Sequence, residues 1–145
     1  MTISMYQVSI PRFVHMLNNL AVILDKAQAY AEAKKVDAKV LPASRLFPDM
    51  LPLVKQVQIA TDMAKGCAAR LAGVEVPKYD DTETTFAELK ARIARTVAFI
   101  ESFKADQLDG AEARTIQLKT GGREVTFPGR DYLFGFVYPN VFFHL

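Results

Sequence analysis

Six apolar residues, Phe86, Leu89, Ile93, Val97, Ile100 and Phe103, recur at spacings of three and four, and no other feature constrains this chain's fold so tightly. That period places them on one face of an α-helix, and the face must be buried against another element. The start of the helix is equally marked. Thr85-Phe-Ala-Glu88 is a capping box, in which two side chains satisfy two otherwise unpaired backbone N–H groups. The same period occurs twice upstream. Ile10, Phe13, Leu17, Leu20, Leu24, Ala27 and Ala31 predict a helix from about Ser4 to Lys34. Pro11 suits its first turn if it starts near Ser9, and marks a kink otherwise. Met50, Leu53, Val57, Ala60, Ala64, Ala68 and Leu71 predict another from about Asp49 to Ala72, closed by Gly73. Residues Val36 to Phe47 between them read as a connector.

Two further segments complete the pattern. Thr115 to Phe127 reads as a hairpin around Gly121-Gly122. The register pairs Leu118 with Val125 and Ile116 with Phe127 on one face, and Lys119 with Glu124 and Gln117 with Thr126 on the other. Arg130 to Leu145 reads as a last helix, almost wholly apolar, in which Pro139 predicts a kink or break and Gly135 supplies the freedom to absorb it. A helix apolar on nearly every side is buried in the bundle or against a partner. Three long amphipathic helices, a small hairpin and this last helix make an all-α, antiparallel four-helix bundle the economical fold, in one domain of 145 residues.

Charge excludes more than it indicates. A formal net charge of +2, with Lys and Arg interleaved with acids, gives no electrostatic case for nucleic acid or an anionic membrane. No apolar stretch reaches membrane-spanning length, and Met1-Thr-Ile-Ser-Met-Tyr-Gln lacks the pattern of a signal peptide, so the cytoplasmic compartment is expected. The single cysteine, Cys67, falls beside the apolar stripe of its helix and reads as a buried, inert thiol. The acids Asp80, Asp81 and Glu83 are explained by favourable charge before a helix N-terminus. Glu88 and Arg92 read as an i, i+4 ion pair. Gly66 points outward in mid-helix, explained by close approach of another backbone or by simple tolerance. His15 reads as a solvated or partner-facing side chain.

Phe47-Pro-Asp-Met-Leu-Pro-Leu-Val-Lys-Gln-Val-Gln-Ile-Ala-Thr-Asp62 and Tyr79-Asp-Asp-Thr-Glu-Thr-Thr-Phe-Ala-Glu-Leu89 resemble a bacterial domain-of-unknown-function family, nineteen-ninety-three in that series. The resemblance runs from Met1 to Leu145 and implies a DinB-like four-helix bundle. It also implies a homodimer, and a last helix that continues for several turns beyond Leu145, so that the present one looks truncated. Better-known DinB-like relatives include metal-dependent thiol transferases, in which a histidine of the second helix joins an H-x-x-x-H pair on the last helix around a divalent metal.

This chain departs from that pattern. Its last helix offers Asn140-x-x-x-His144, one helical face with a single imidazole, and its second helix offers Gln56 and Gln58 in place of histidine. Three readings follow. Asn140, His144 and Gln58 or Gln56 line a polar pocket for a small molecule without metal. Alternatively, His144 belongs to an altered, weak divalent-metal centre completed by water or a partner subunit. In the third reading, Asn140 and His144 hydrogen-bond each other and the backbone in a structural or interaction protein. No cofactor is expected, and no serine–histidine–acid arrangement is legible, so whether the chain is an enzyme stays open.

Overall fold

A computed structural model describes residues 3–145; Met1 and Thr2, where the segment weighed as a leader begins, lie outside it. Helix α1 (Ile10–Ala33) starts later than the apolar pattern alone suggests. Pro11, its second residue, has no N–H and its ring crowds the carbonyl four residues back, so the chain before Ile10 forms turns instead. Ser9 closes that turn by donating its hydroxyl to the Met5 carbonyl at 2.6 Å. The connector holds one helical turn, α2 (Val40–Ala43). Helix α3 (Leu53–Ala72) begins after Pro52, not at Asp49, because a proline biases the residue before it away from helical geometry. It ends at Gly73, whose φ of 71° is the left-handed conformation that favours glycine.

Helix α4 (Phe86–Glu101) carries the capping box its sequence predicts: Thr85 Oγ1 accepts from the Glu88 N–H at 3.3 Å, and Glu88 Oε2 accepts from the Thr85 N–H at 3.0 Å. Strands β1 (Thr115–Thr120) and β2 (Arg123–Pro128) pair antiparallel in the expected register, Leu118 opposite Val125 and Lys119 opposite Glu124. Gly121 and Gly122 turn the hairpin at φ 56° and 77°.

The last helix is continuous but not uniform. A short α5 (Gly129–Asp131) leads into a π-helical stretch (Tyr132–Val137) and then α6 (Tyr138–His144). No break occurs at Pro139: helical structure runs on from the π stretch through α6, with Pro139 as the second residue of α6. Phe13, Leu17 and Leu24 of α1, Val57, Ala64 and Leu71 of α3, Leu89, Ile93 and Ile100 of α4, and Leu133 and Val137 of the last helix share one core. The bundle is a four-helix one, with the hairpin set before its last helix. No described helix is long and apolar enough to cross a membrane.

Gly66 does not point outward. It is buried beneath Arg70, whose guanidinium occupies the space a Cβ would need, so a side chain of its own helix explains it. Arg70 reaches on to donate to the Tyr132 hydroxyl at 3.0 Å. Burial, and secondarily the nearby Cys67, pushes the Tyr132 phenol up to about 12. Cys67 is fully buried, and desolvation drives its thiol far above the range in which a thiolate forms.

Candidate functional site

The residues singled out on α3 and the last helix separate into two neighbourhoods. His144 Nδ1 lies 2.6 Å from Gln56 Oε1, while Gln56 Nε2 donates to the Leu51 carbonyl at 2.9 Å. The second bond orients the amide, so the Gln56 oxygen faces the ring and His144 donates its Nδ1–H. The lone pair is left on Nε2. Burial holds this imidazole below its ordinary pKa, because charging it would remove an ion from water. Asn140 does not join His144. Its Nδ2 donates to the Phe136 carbonyl at 2.7 Å, within its own helix.

Gln58 is two residues from Gln56, and its partner is elsewhere. It is 2% exposed and donates Nε2 to Glu83 Oε2 at 2.8 Å. The structure thus brings His144 together with Gln56 and leaves Asn140 and Gln58 apart. A three-imidazole metal centre does not fit these residues: the set offers one imidazole and amides already engaged. Among the described residues, no three His, Cys, Asp or Glu side chains come together to hold a metal. His15, on α1, is exposed and bonds Asn19 at 3.1 Å.

The denser polar cluster centres on Arg92, which the i, i+4 spacing assigns to Glu88. Glu88 is committed to the cap, and Arg92 turns the other way. Its side chain is 2% exposed, with Nε donating to Thr61 Oγ1 at 2.8 Å and Nη2 to Asp62 at 2.9 Å. Nη1 reaches Glu83 at 3.1 Å, Asp81 at 3.2 Å and the Asp80 carbonyl at 3.2 Å. Lys65, also buried, bonds Asp62 at 2.7 Å. Lys65 Nζ and the Arg95 guanidinium lie 3.9 and 4.0 Å from the centre of the Tyr79 ring.

The acids before α4 therefore hold an arginine and do not serve the helix end alone. Burial opposes the charge on Glu83, but the hydrogen bond from Gln58 and then Arg92 outweigh it and keep the carboxyl below its usual range. At Asp81 burial is likewise outweighed, first by Lys55 at 2.9 Å and then by Arg92. Arg92 itself is held protonated despite burial, by its bond to Glu83 and the charges of Asp62 and its other partners. Thr61, a polar residue in the middle of an apolar stripe, is the sequence signal that could have located this cluster. An arginine in the facing stripe, at the position after Ala91, is the matching one.

An apolar surface completes the inventory. On the last helix Phe134, Tyr138 and Phe142 stack one turn apart, with ring centres 5.7 and 5.5 Å from each other. Phe134 and Phe142 are 49% and 63% exposed. With Arg12 and Met16 of α1 these rings line a groove of 590 Å³. The last helix is consequently not buried all round: Tyr132, Leu133, Val137 and Val141 face the core, and Phe134 and Phe142 face outward. Tyr138 between them is half-buried, its ring against Phe13 and its hydroxyl donating to the Val8 carbonyl.

The sequence matches, over residues 5–145, the family described as Domain of unknown function (DUF1993). Among solved structures it is similar to a DinB family member protein from Shewanella denitrificans, at 44% identity and a TM-score of 0.83, over 96% of this chain and 79% of that one. A search of curated proteins returns no match.

Proposed function

The chain belongs to the DUF1993 family and shares the DinB fold, and from that premise we propose that it works as a homodimeric structural or small-molecule-binding protein. The observation behind this reading is the row of Phe134, Tyr138 and Phe142, whose two phenylalanines are exposed on either side of a half-buried tyrosine. An exposed apolar face flanked by polar residues marks an interaction surface. A second copy suits it, because a two-fold interface places the same patch on both sides. Two such rows can interleave their rings, and Arg12 beside the groove can lie over the partner's aromatic faces.

Size-exclusion chromatography with light scattering tests the assembly. A dimer is expected at micromolar concentration, and Phe142→Ser, which removes an exposed ring without touching the core, is expected to weaken it by about tenfold or more. A wild-type monomer at that concentration would sink the proposal. The alternative, a thiol transferase-like enzyme with an altered metal site, gains support only from the Nε2 lone pair of His144. Under it, a chelator lowers the thermal midpoint and added zinc restores it. Under the dimer reading the chelator changes nothing.

A further inference from the structure

The buried polar and charged side chains of the described residues are Ser9, Gln58, Thr61, Lys65, Arg92 and Thr96. All but Ser9 lie on α3 and α4, at spacings of three or four within each helix. Apolar side chains of similar volume would fill such a seam with less desolvation, so stability alone does not account for it. Over the seam runs the segment from residue 75 to residue 84, which has no helix or strand and makes no backbone–backbone hydrogen bond. Side chains hold it down: Asp81 to Lys55 and Arg92, Glu83 to Gln58 and Arg92, and the Tyr79 ring against Lys65 and Arg95.

Beneath this strap Arg92 and Lys65 supply two cations and Gln58 an amide, with Asp62 the carboxylate that α3 itself contributes. The Thr61 hydroxyl bonds the Val57 and Gln58 carbonyls and accepts from Arg92, so it orients the guanidinium. The strap adds Asp81 and Glu83, two negative charges, to that balance. One further polar group stays unmatched. Gln58 Oε1 is buried and has no donor, and its Nε2 bond to Glu83 prevents the amide from turning to find one. An occupant that replaced both strap carboxylates and satisfied Oε1 would carry two negative charges and one O–H. Hydrogen phosphate does.

We propose that the seam between α3 and α4 is a phosphate-binding site, and that Asp81 and Glu83 of the strap occupy it as internal surrogate anions when no ligand is bound. The open cleft of 280 Å³ beside it, lined by Tyr79, Glu83, Arg92 and Arg95 among others, is the way in. Binding displaces the strap, so the affinity of the intact chain is reduced by the fraction of time the strap is closed. The proposal is independent of the dimer reading.

Calorimetric titration of inorganic phosphate into the full chain, at ionic strength held constant with chloride, tests it. Phosphate is expected to bind, and Asp81→Asn and Glu83→Gln each to tighten binding by about fivefold or more by weakening the strap. Succinate, a dianion without a donor, is expected to bind more weakly than phosphate. Proton NMR adds a readout that an ion resting on the surface would not move: the Tyr79 ring, held against Lys65 and Arg95 while the strap is closed, is expected to shift its signals with phosphate bound. Asp81 is exposed, so Asp81→Asn is expected to stay folded even if Glu83→Gln does not. No binding to folded Asp81→Asn, equal affinity for wild type and variant, or binding with unmoved Tyr79 ring signals would each overturn the proposal.

Discussion

Gln56 and Gln58 stand two residues apart on α3, which turns them roughly 200° from one another around the helix. Gln56 meets a single imidazole near the end of the last helix, and the contact is one hydrogen bond to one half-buried ring. Gln58 enters a network in which a buried guanidinium holds three carboxylates, a hydroxyl and a backbone carbonyl. The first region is sparse and locally replaceable. The second is dense, with one amide oxygen, Gln58 Oε1, left unmatched, and removing its central guanidinium strands the acids around it. The contrast teaches that the residues most conspicuous in a sequence, here an isolated histidine and asparagine, need not sit where a fold concentrates its polar chemistry.

The largest effect expected from breaking this contrast is at Arg92. Arg92→Met keeps the volume but leaves the carboxylates without their shared cation, and is expected to destabilise the protein by about 3 kcal/mol in urea unfolding. A loss below about 1 kcal/mol would show that solvent, not the guanidinium, balances those acids.

An intermediate effect is expected from acid. Asp81 and Glu83 have folded pKa values below their unfolded ones. The stability they confer is present above the unfolded carboxylate range and is lost as pH falls through the folded values. Unfolding midpoints measured from pH 6 downward should therefore fall. Glu83→Gln should flatten that slope, and an unchanged slope would remove Glu83 from the account.

The smallest effect on stability belongs to the other region. His144 also titrates below its unfolded value, so its contribution is present above that value and lost as pH falls through the folded one. Gln56→Glu places a carboxylate against Nδ1 and should raise the His144 titration followed by NMR, with a stability change below about 1 kcal/mol. A titration that does not move would mean the ring does not face residue 56 in solution.

Much of the architecture was legible because it rests on local chemistry. The period of Phe86 to Phe103, the Thr85–Glu88 box, the Gly121-Gly122 turn and the closing Gly73 each state their structure within a few residues. Of the two readings Pro11 left open, the later start near Ser9 holds, while at Pro52 a proline overruled the apolar pattern and α3 starts four residues after Asp49. The polar sites were less legible. Glu88 and Arg92 have the spacing of an ion pair, but the cap claims one and the seam claims the other. Gln56 and Gln58 share a place in the sequence and are separated only by the pitch of α3.

Sequence alone determined which long segments are helical, where the hairpin turns and which stripes must meet, because those properties follow from spacing, capping and backbone freedom along the chain. Only the tertiary structure decided that Arg92 turns from Glu88 toward Asp62, Asp81 and Glu83, and that Arg70 covers Gly66. It also decided that Phe134 and Phe142 face outward. Those outcomes depend on which side chains from distant segments arrive at the same place, and on the desolvation that a long, charged side chain escapes only by finding partners there.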